Sequence, residues 1–238
     1  MEIEKLASNY KIDQSGIDIV RASKTVFIVG ITSAGKDTIV KRLLESPDYH
    51  LIVSHTTRQP RVNNGVMEQD GDDYHFVTQN QMKTLLTDHK MIEVNCFGGN
   101  YYGTSVGEFA DANLENKIAI SDIEVNGISS FYDIAPNSVT AIYIVPPDYE
   151  TWLCRVQKRY ESIELFERDW LVRREIAVNE LEHVLSVSHY HFVINDDLNR
   201  AVKVTDKIAH REDNVFGRGD DEARLKARDL LDAIKQTI

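Results

Sequence analysis

The stretch Thr25-Val26-Phe27-Ile28-Val29-Gly30-Ile31-Thr32-Ser33-Ala34-Gly35-Lys36-Asp37-Thr38 decides how the rest of the chain is read. Its first five residues are apolar and β-prone, too few for a helix, and Gly30 ends the run. Such a run, buried on both faces, fits a central parallel strand. From Lys36 to Glu45 the apolar residues Ile39, Val40, Leu43 and Leu44 fall on one helical face, and the pattern stops ahead of Pro47. Between strand and helix lies the spacing G-x-x-x-x-G-K. Glycines let the backbone wrap an anion so that several N–H groups point inward. The helix N-terminus adds partial positive charge, and Lys36 adds a full one. Gly30, Ser33, Ala34, Gly35, Lys36, Asp37 and Thr38 are therefore the expected polyphosphate loop.

Asp37 breaks the pattern, since Ser or Thr usually follows the lysine to meet Mg2+. Two unit charges ~4 Å apart interact by ~1 kcal/mol in water and ~4 kcal/mol at an effective dielectric of ~20. A carboxylate beside a triphosphate thus needs a cation between them. Either Asp37 ligates Mg2+, or it points away and Thr38 serves; as a surface acid in a first helical turn it is also favourable.

Outward from this stretch the strand-then-helix pattern recurs. Strands are expected at Leu51–Ser54, Lys117–Ile123, Val139–Val145 and His191–Ile194, and helices at Val125–Ala135, Tyr149–Tyr160, Asp169–Ser186 and Leu198–Arg211. That alternation predicts an α/β, three-layer P-loop domain around a central parallel sheet. Residues 54–111 have a different texture, polar and glycine-rich, and read as a small inserted lobe of short strands. Residues 1–23 read as a loosely attached leader and 212–220 as a hinge. Ala223, Ala227, Leu230, Leu231, Ile234 and Ile238 then form a helical stripe that docks on the body or on a second subunit.

Composition sets further bounds. The 238 residues carry 27 Lys and Arg against 38 Asp and Glu, a net charge of −11. A nucleic-acid coat needs a basic surface, so that class is disfavoured. Cys96 and Cys154 form no CxxC pair and read as reduced thiols, which points to the cytoplasm. No apolar run approaches the ~20 residues that span a bilayer, and the start Met-Glu-Ile-Glu-Lys is too acidic for a signal peptide. The histidines show no HExxH or ligand cluster.

A second anion site is written in the inserted lobe. Ser54-His55-Thr56-Thr57-Arg58-Gln59-Pro60-Arg61 carries two arginines that can converge on one phosphate. Asp70-Gly71-Asp72-Asp73-Tyr74-His75-Phe76 offers a tyrosine hydroxyl. Ile92-Glu93 and Asn100-Tyr101-Tyr102-Gly103-Thr104 follow, and Ile194-Asn195-Asp196-Asp197-Leu198 comes late.

In these motifs and their order, residues 24–210 resemble the guanylate kinase family. The resemblance implies a core at 24–53 and 112–211, an acceptor-binding lobe at 54–111 and a helical lid at about 155–174. It implies that Arg58, Arg61, Tyr74 and Tyr102 hold the GMP phosphate and that Ser54, Glu93 and Thr104 contact guanine. A carboxylate at Glu93 accepts from both the ring N–H and the exocyclic amine of guanine, a pair adenine does not offer. Asp122 matches an acid on the acceptor side near the metal and its waters. Glu124 stands where the family usually has Asp, close to the acceptor. Arg155, Arg159 and Arg173 match lid arginines, although Tyr160–Glu164 lacks the usual glycine, and Asn195 matches a position near adenine. About four extra residues, centred on Asn63-Asn64-Gly65, lengthen the rim of the phosphate clamp. The implied reaction is phosphoryl transfer from Mg-ATP to GMP or dGMP, with Lys36, Arg58, Arg159 and Arg173 as the catalytic cations and Mg2+ held by Asp37, Thr38 or Asp122. The Gly-Lys-Asp variant also resembles the loop of ribose bisphosphokinases, which leaves ribose 1,5-bisphosphate as another acceptor. Guanylate-kinase-like scaffold modules offer a non-catalytic alternative, but they generally lack a working phosphate loop.

Overall fold

The structure, a computed structural model, describes residues 3–63, 65–123, 125–211 and 218–237. In chain order the elements run α1 (Ile3–Ser8), α2 (Gln14–Ala22), β1 (Lys24–Val29), α3 (Lys36–Leu43), β2 (Tyr49–Leu51), β3 (His55–Thr56), β4 (Val62–Asn63), β5 (Val66–Met67), β6 (His75–Phe76), α4 (Gln79–Thr87) and β7 (Met91–Phe97). They continue with β8 (Asn100–Ser105), α5 (Val106–Leu114), β9 (Ile118–Asp122), α6 (Val125–Ile134), β10 (Val139–Val145), α7 (Tyr149–Gln157), α8 (Ile163–Ser186), β11 (Tyr190–Ile194), α9 (Leu198–Ala209) and α10 (Arg218–Gln236). The described residues fall into two compact units. One comprises those up to Thr25 with Pro47–Ser121 and Ser130–Val139; the other comprises Val26–Ser46, Asp122–Ser129 and those from Thr140 onward.

The second unit carries the parallel strands expected from the apolar runs. Its strands lie in the order β11-β10-β1, and β10 pairs parallel with β11 from Ala141↔Tyr190 to Val145↔Ile194. All seven residues of β10 are buried, the mark of a strand covered on both faces. Helix α8 starts at Ile163, earlier than the expected Asp169, because Ser162 accepts from the Leu165 N–H and caps it. The terminal stripe forms α10 as expected. Ala223, Ala227, Leu230, Leu231 and Ile234 are all buried, and α10 packs on β11 and α8 of the same chain. Of the two expected docking places, the body and a second subunit, this packing is on the body. Ile238 and hinge residues 212–217 lie outside the described residues.

The first unit contains the four-stranded sheet β6-β3-β8-β7. Strands β7 and β8 are antiparallel, and so are β3 and β8, whereas β3 and β6 are parallel. Helix α4 opens with a full capping box between Thr78 and Gln81. The extra rim residues form the hairpin β4–β5, pairing Val62 with Met67; Asn64 is outside the described residues. Strand β2 pairs parallel with β9 and ends at Leu51, so the expected strand Leu51–Ser54 is shifted towards the N-terminus. The leader is not loose. Helix α2 is capped by Asp13, whose carboxylate accepts from the Gly16 N–H. Ile3, Leu6, Ala7 and Tyr10 then pack on Met82, Leu86, Met91 and Tyr101. Both cysteines are free and exposed. Among the described residues no helix is long and apolar enough to cross a membrane.

Candidate active site

In the second unit the chain leaves β1, turns and enters α3. Gly30 runs so close to β10 that a Cβ there would stand 2.6 Å from the Ile144 carbonyl oxygen. Gly35 has φ 99°, and a Cβ there would collide with the Asn195 amide. Both glycines are therefore steric necessities. Ser33 also adopts a left-handed conformation, φ 61°, which costs a residue with a Cβ about 1–2 kcal/mol. Its hydroxyl is buried without a hydrogen-bond partner. An orphaned donor on a strained turn marks a place where a ligand completes the bonding.

This turn opens onto a cavity of about 520 Å³, lined by Thr32, Ser33, Gly35, Lys36, Asp37 and Thr38, by Arg155 and Arg159, and by Asn195, Asp196 and Leu198. That volume is in the range of small-molecule sites. Lys36 Nζ donates to the Gly30 carbonyl at 2.5 Å, so its charge is held over the loop. Asn195 is buried, and its amide donates to the Ala34 carbonyl at 2.8 Å, fixing the floor of the loop. Gly30 and Ala34 act through these carbonyls rather than as lining. Arg155 donates to the Asn195 carbonyl at 3.0 Å while its other terminal nitrogen is buried and unpaired, a second orphaned donor. Asp122 lies close enough to feel both neighbours. Its carboxyl is raised above the ordinary range by loss of water and by the charge of Asp37, and Lys36 offsets part of this.

Thr32 is the residue that sequence reasoning passed over here. Its hydroxyl accepts from Arg159 at 3.2 Å and from Arg173 at 3.4 Å, and its carbonyl accepts from the Trp152 indole at 2.9 Å. One loop residue thus gathers two of the expected lid arginines. Arg173 also donates to the Tyr160 hydroxyl and stacks 5.4 Å from that ring.

In the first unit Arg58, Tyr74 and Tyr102 come together. The Arg58 guanidinium lies 5.2 Å from the Tyr74 ring centre, and the rings of Tyr74 and Tyr102 meet edge-on at 6.0 Å. Glu68, unforeseen, holds Arg58 as a bidentate pair at 2.7 and 3.0 Å and accepts from the Arg61 backbone N–H at 2.8 Å. That bonding raises the Arg58 pKa and lowers that of Glu68. The Nε of Arg58 remains buried and unpaired, open for an oxyanion. No local pattern flags Glu68, because its partner lies across a hairpin.

Glu93 and Thr104 are cross-strand partners. Both the Thr104 N–H and its hydroxyl donate to one oxygen of Glu93, at 3.0 and 3.1 Å, and Asn95 donates to the other at 2.6 Å. Burial nonetheless leaves the Glu93 carboxyl above its ordinary range, with Thr104 and Asn95 pulling it partly back. Ser54 is half-buried and joins through its carbonyl, which accepts from His75 N–H at 2.9 Å. Arg61 is exposed, and Glu124 lies outside the described residues. Below this set the His75 ring bonds Glu108 at 2.8 Å, and Glu108 also accepts from the Val53 N–H at 2.8 Å.

Known proteins carry the same arrangement of sequence. The chain is 32% identical to guanylate kinase of Maricaulis maris over 182 residues, 76% of this chain and 79% of that one. It is 34% identical to guanylate kinase of Clostridium perfringens, with 77% and 81% covered. With guanylate kinase of Schizosaccharomyces pombe identity is 42% over 107 residues, and there the chain spans about half, 51%, of its relative's length. The crystal structure of guanylate kinase from Anaplasma phagocytophilum shares the fold, with a TM-score of 0.55 at 22% identity over 83% of this chain and 89% of that one. A sequence model of guanylate kinases matches residues 22–212, and the chain belongs to that family.

Proposed function

We propose that this protein transfers the γ-phosphate of ATP to the phosphate of GMP or dGMP, giving ADP and GDP or dGDP. The observation that carries the acceptor choice is the half-buried Glu93 carboxylate, aimed by Thr104 and Asn95, with acceptor capacity left on the oxygen that Asn95 bonds. Guanine, with a ring N–H beside an exocyclic amine, supplies donors that can fill it and share the rest. The pairing disfavours ribose 1,5-bisphosphate, which has no base. The cavity at the phosphate loop, with two orphaned donors, disfavours a non-catalytic module.

The loop amides, Ser33, Lys36 and Arg155 bind the donor phosphates, and Arg159 and Arg173 add positive charge. Arg58, Arg61, Tyr74 and Tyr102 bind the acceptor phosphate. An acceptor oxygen bonds the γ-phosphorus as its bond to the bridging oxygen of ADP breaks; no side chain forms a covalent intermediate. The chain supplies positioning and charge. Mg2+ fits the donor side: Asp37, Thr38 and Asp122 offer only hard oxygen ligands, and the two carboxylates repel each other unless a cation intervenes. When bound, Mg2+ neutralises phosphate charge. Such nucleotide chemistry and two free thiols suit the cytoplasm.

A coupled assay of ADP release across GMP, dGMP, AMP, UMP and ribose 1,5-bisphosphate, with and without Mg2+, tests this. Turnover is expected with the guanylates alone, only with Mg2+, and reduced at least ~100-fold by Lys36→Ala. Equal turnover with ribose 1,5-bisphosphate, or an unaffected Lys36→Ala enzyme, would overturn it.

A further inference from the structure

The matched family region begins at residue 22, so α1 and most of α2 lie ahead of it. Tyr10, between these helices, reaches strand β7. Its hydroxyl donates to the Met91 carbonyl at 2.6 Å and accepts from the Met91 N–H at 3.2 Å. Strand β7 is the edge of its sheet, with β8 on one side only. The Lys90 carbonyl bonds the Val106 N–H on the side of the β8–α5 junction. The amide and carbonyl of Met91 therefore face the opposite, open edge. One phenol thus replaces a missing strand neighbour. It does so where the β7–β8 register shifts, between Met91 and Glu93. A bulge re-aims the side chain that follows it, and here that side chain is Glu93. Beyond the bulge the strands are pressed together: a Cβ on Gly103 would collide with the Glu93 carbonyl. The apolar side of the same segment is fixed as well, since Leu6 and Tyr10 pack on the cluster of Met82, Leu86, Met91 and Tyr101.

We infer that Tyr10 is a positioning residue for base recognition: it pins the β7 bulge and thereby sets the direction of the Glu93 carboxylate. The inference rests on the reading of Glu93 as the guanine contact. Loss of two hydrogen bonds at a strand edge loosens the bulge and leaves the phosphate clamp and donor loop untouched. Removing one well-placed bond from ligand recognition costs about tenfold. The acceptor pair GMP and IMP reads it directly, because IMP lacks the exocyclic amine and loses one of the two donors to Glu93.

The test uses the full chain with Tyr10→Phe, which keeps the ring, and Leu6→Ala, which loosens packing but removes no hydrogen bond. Steady-state kinetics with GMP, IMP and ATP are read beside thermal melting with and without GMP. Tyr10→Phe is expected to raise the KM for GMP about tenfold, keep kcat and the KM for ATP, and narrow the preference for GMP over IMP. Leu6→Ala should lower the melting temperature and leave that preference intact. A Tyr10→Phe enzyme with GMP KM within twofold of wild type overturns the inference, as does a Leu6→Ala enzyme whose preference narrows equally. A wild-type protein inert towards GMP refutes the acceptor reading itself; an active wild type with an unaltered Tyr10→Phe variant refutes the role of Tyr10 alone.

Discussion

At the residue scale the phosphate loop holds one position where stability and binding pull apart. Ser33 sits at φ 61° with its hydroxyl buried and unpaired. Glycine would relieve the backbone but would loosen the unfolded chain in return, a net gain of about 0.5–1 kcal/mol. It would also delete the hydroxyl that faces the donor cavity. Ser33→Gly is expected to raise the urea midpoint and to raise the KM for ATP about fivefold, with the KM for GMP unchanged. A variant that is less stable, or whose ATP binding is unaltered, would show that the hydroxyl serves the loop rather than the ligand. Asp37 illustrates the converse, a residue tolerable only in company. Its charge lifts the Asp122 carboxyl and Lys36 counters it, so all three belong to one electrostatic group.

At the element scale α10 shows how a segment outside the matched region becomes part of the body. Asp220 accepts the Phe192 N–H at 2.6 Å, which closes an open bond of strand β11. Arg224 lies 4.4 Å over the Phe192 ring and donates to the Tyr190 carbonyl at 3.0 Å. Leu230 is 2% exposed and Leu225 58%. Leu230→Ala is expected to cost about 2–4 kcal/mol in urea unfolding, and Leu225→Ala under about 0.5 kcal/mol. Equal, small losses would mean that α10 is not docked in solution. The stripe of α10, the strands β1 and β10 and the glycine turn were all legible in the sequence, because each is a local pattern of period 3.6, of continuous apolarity, or of fixed spacing. The packing of α1 was not legible: its apolar residues are few, and their partners Met82 and Met91 are remote in sequence. Arg58 and Glu93 could be named as candidate site residues, but not Glu68, which holds Arg58, or Tyr10, which bonds Met91 two residues before Glu93. An ion pair across a hairpin and a phenol on a distant strand edge leave no periodic trace. The early start of α8 depended on a single cap, Ser162, within a polar turn.

At the scale of the whole molecule the acidic composition hides a buried basic group. His55 stands on β3 beside His75, ring centres 4.6 Å apart, and its Nδ1 is buried without a partner. Burial first, and then the neighbouring His75, push its pKa from 6.5 down to about 4, against the opposing pull of Glu108 and Asp70. The sign follows from proton counting. The unfolded chain protonates His55 near pH 6.5 and the native chain only near pH 4. Between those values the unfolded state binds more protons, so stability is full above pH 6.5 and falls as the pH drops towards 4. Partial exposure of the ring limits the effect to roughly 1–2 kcal/mol. Urea unfolding of the wild type and of His55→Gln, each at neutral pH and near pH 5, isolates it. The wild type should lose about 1–2 kcal/mol more than the variant on acidification. The raised carboxyls of Glu93 and Asp122 act with the opposite sign, since their protonation favours the native state as the pH falls, and they are common to both proteins. Equal losses would mean that His55 is charged in the folded protein, despite the burial of its Nδ1 and the neighbouring His75 ring.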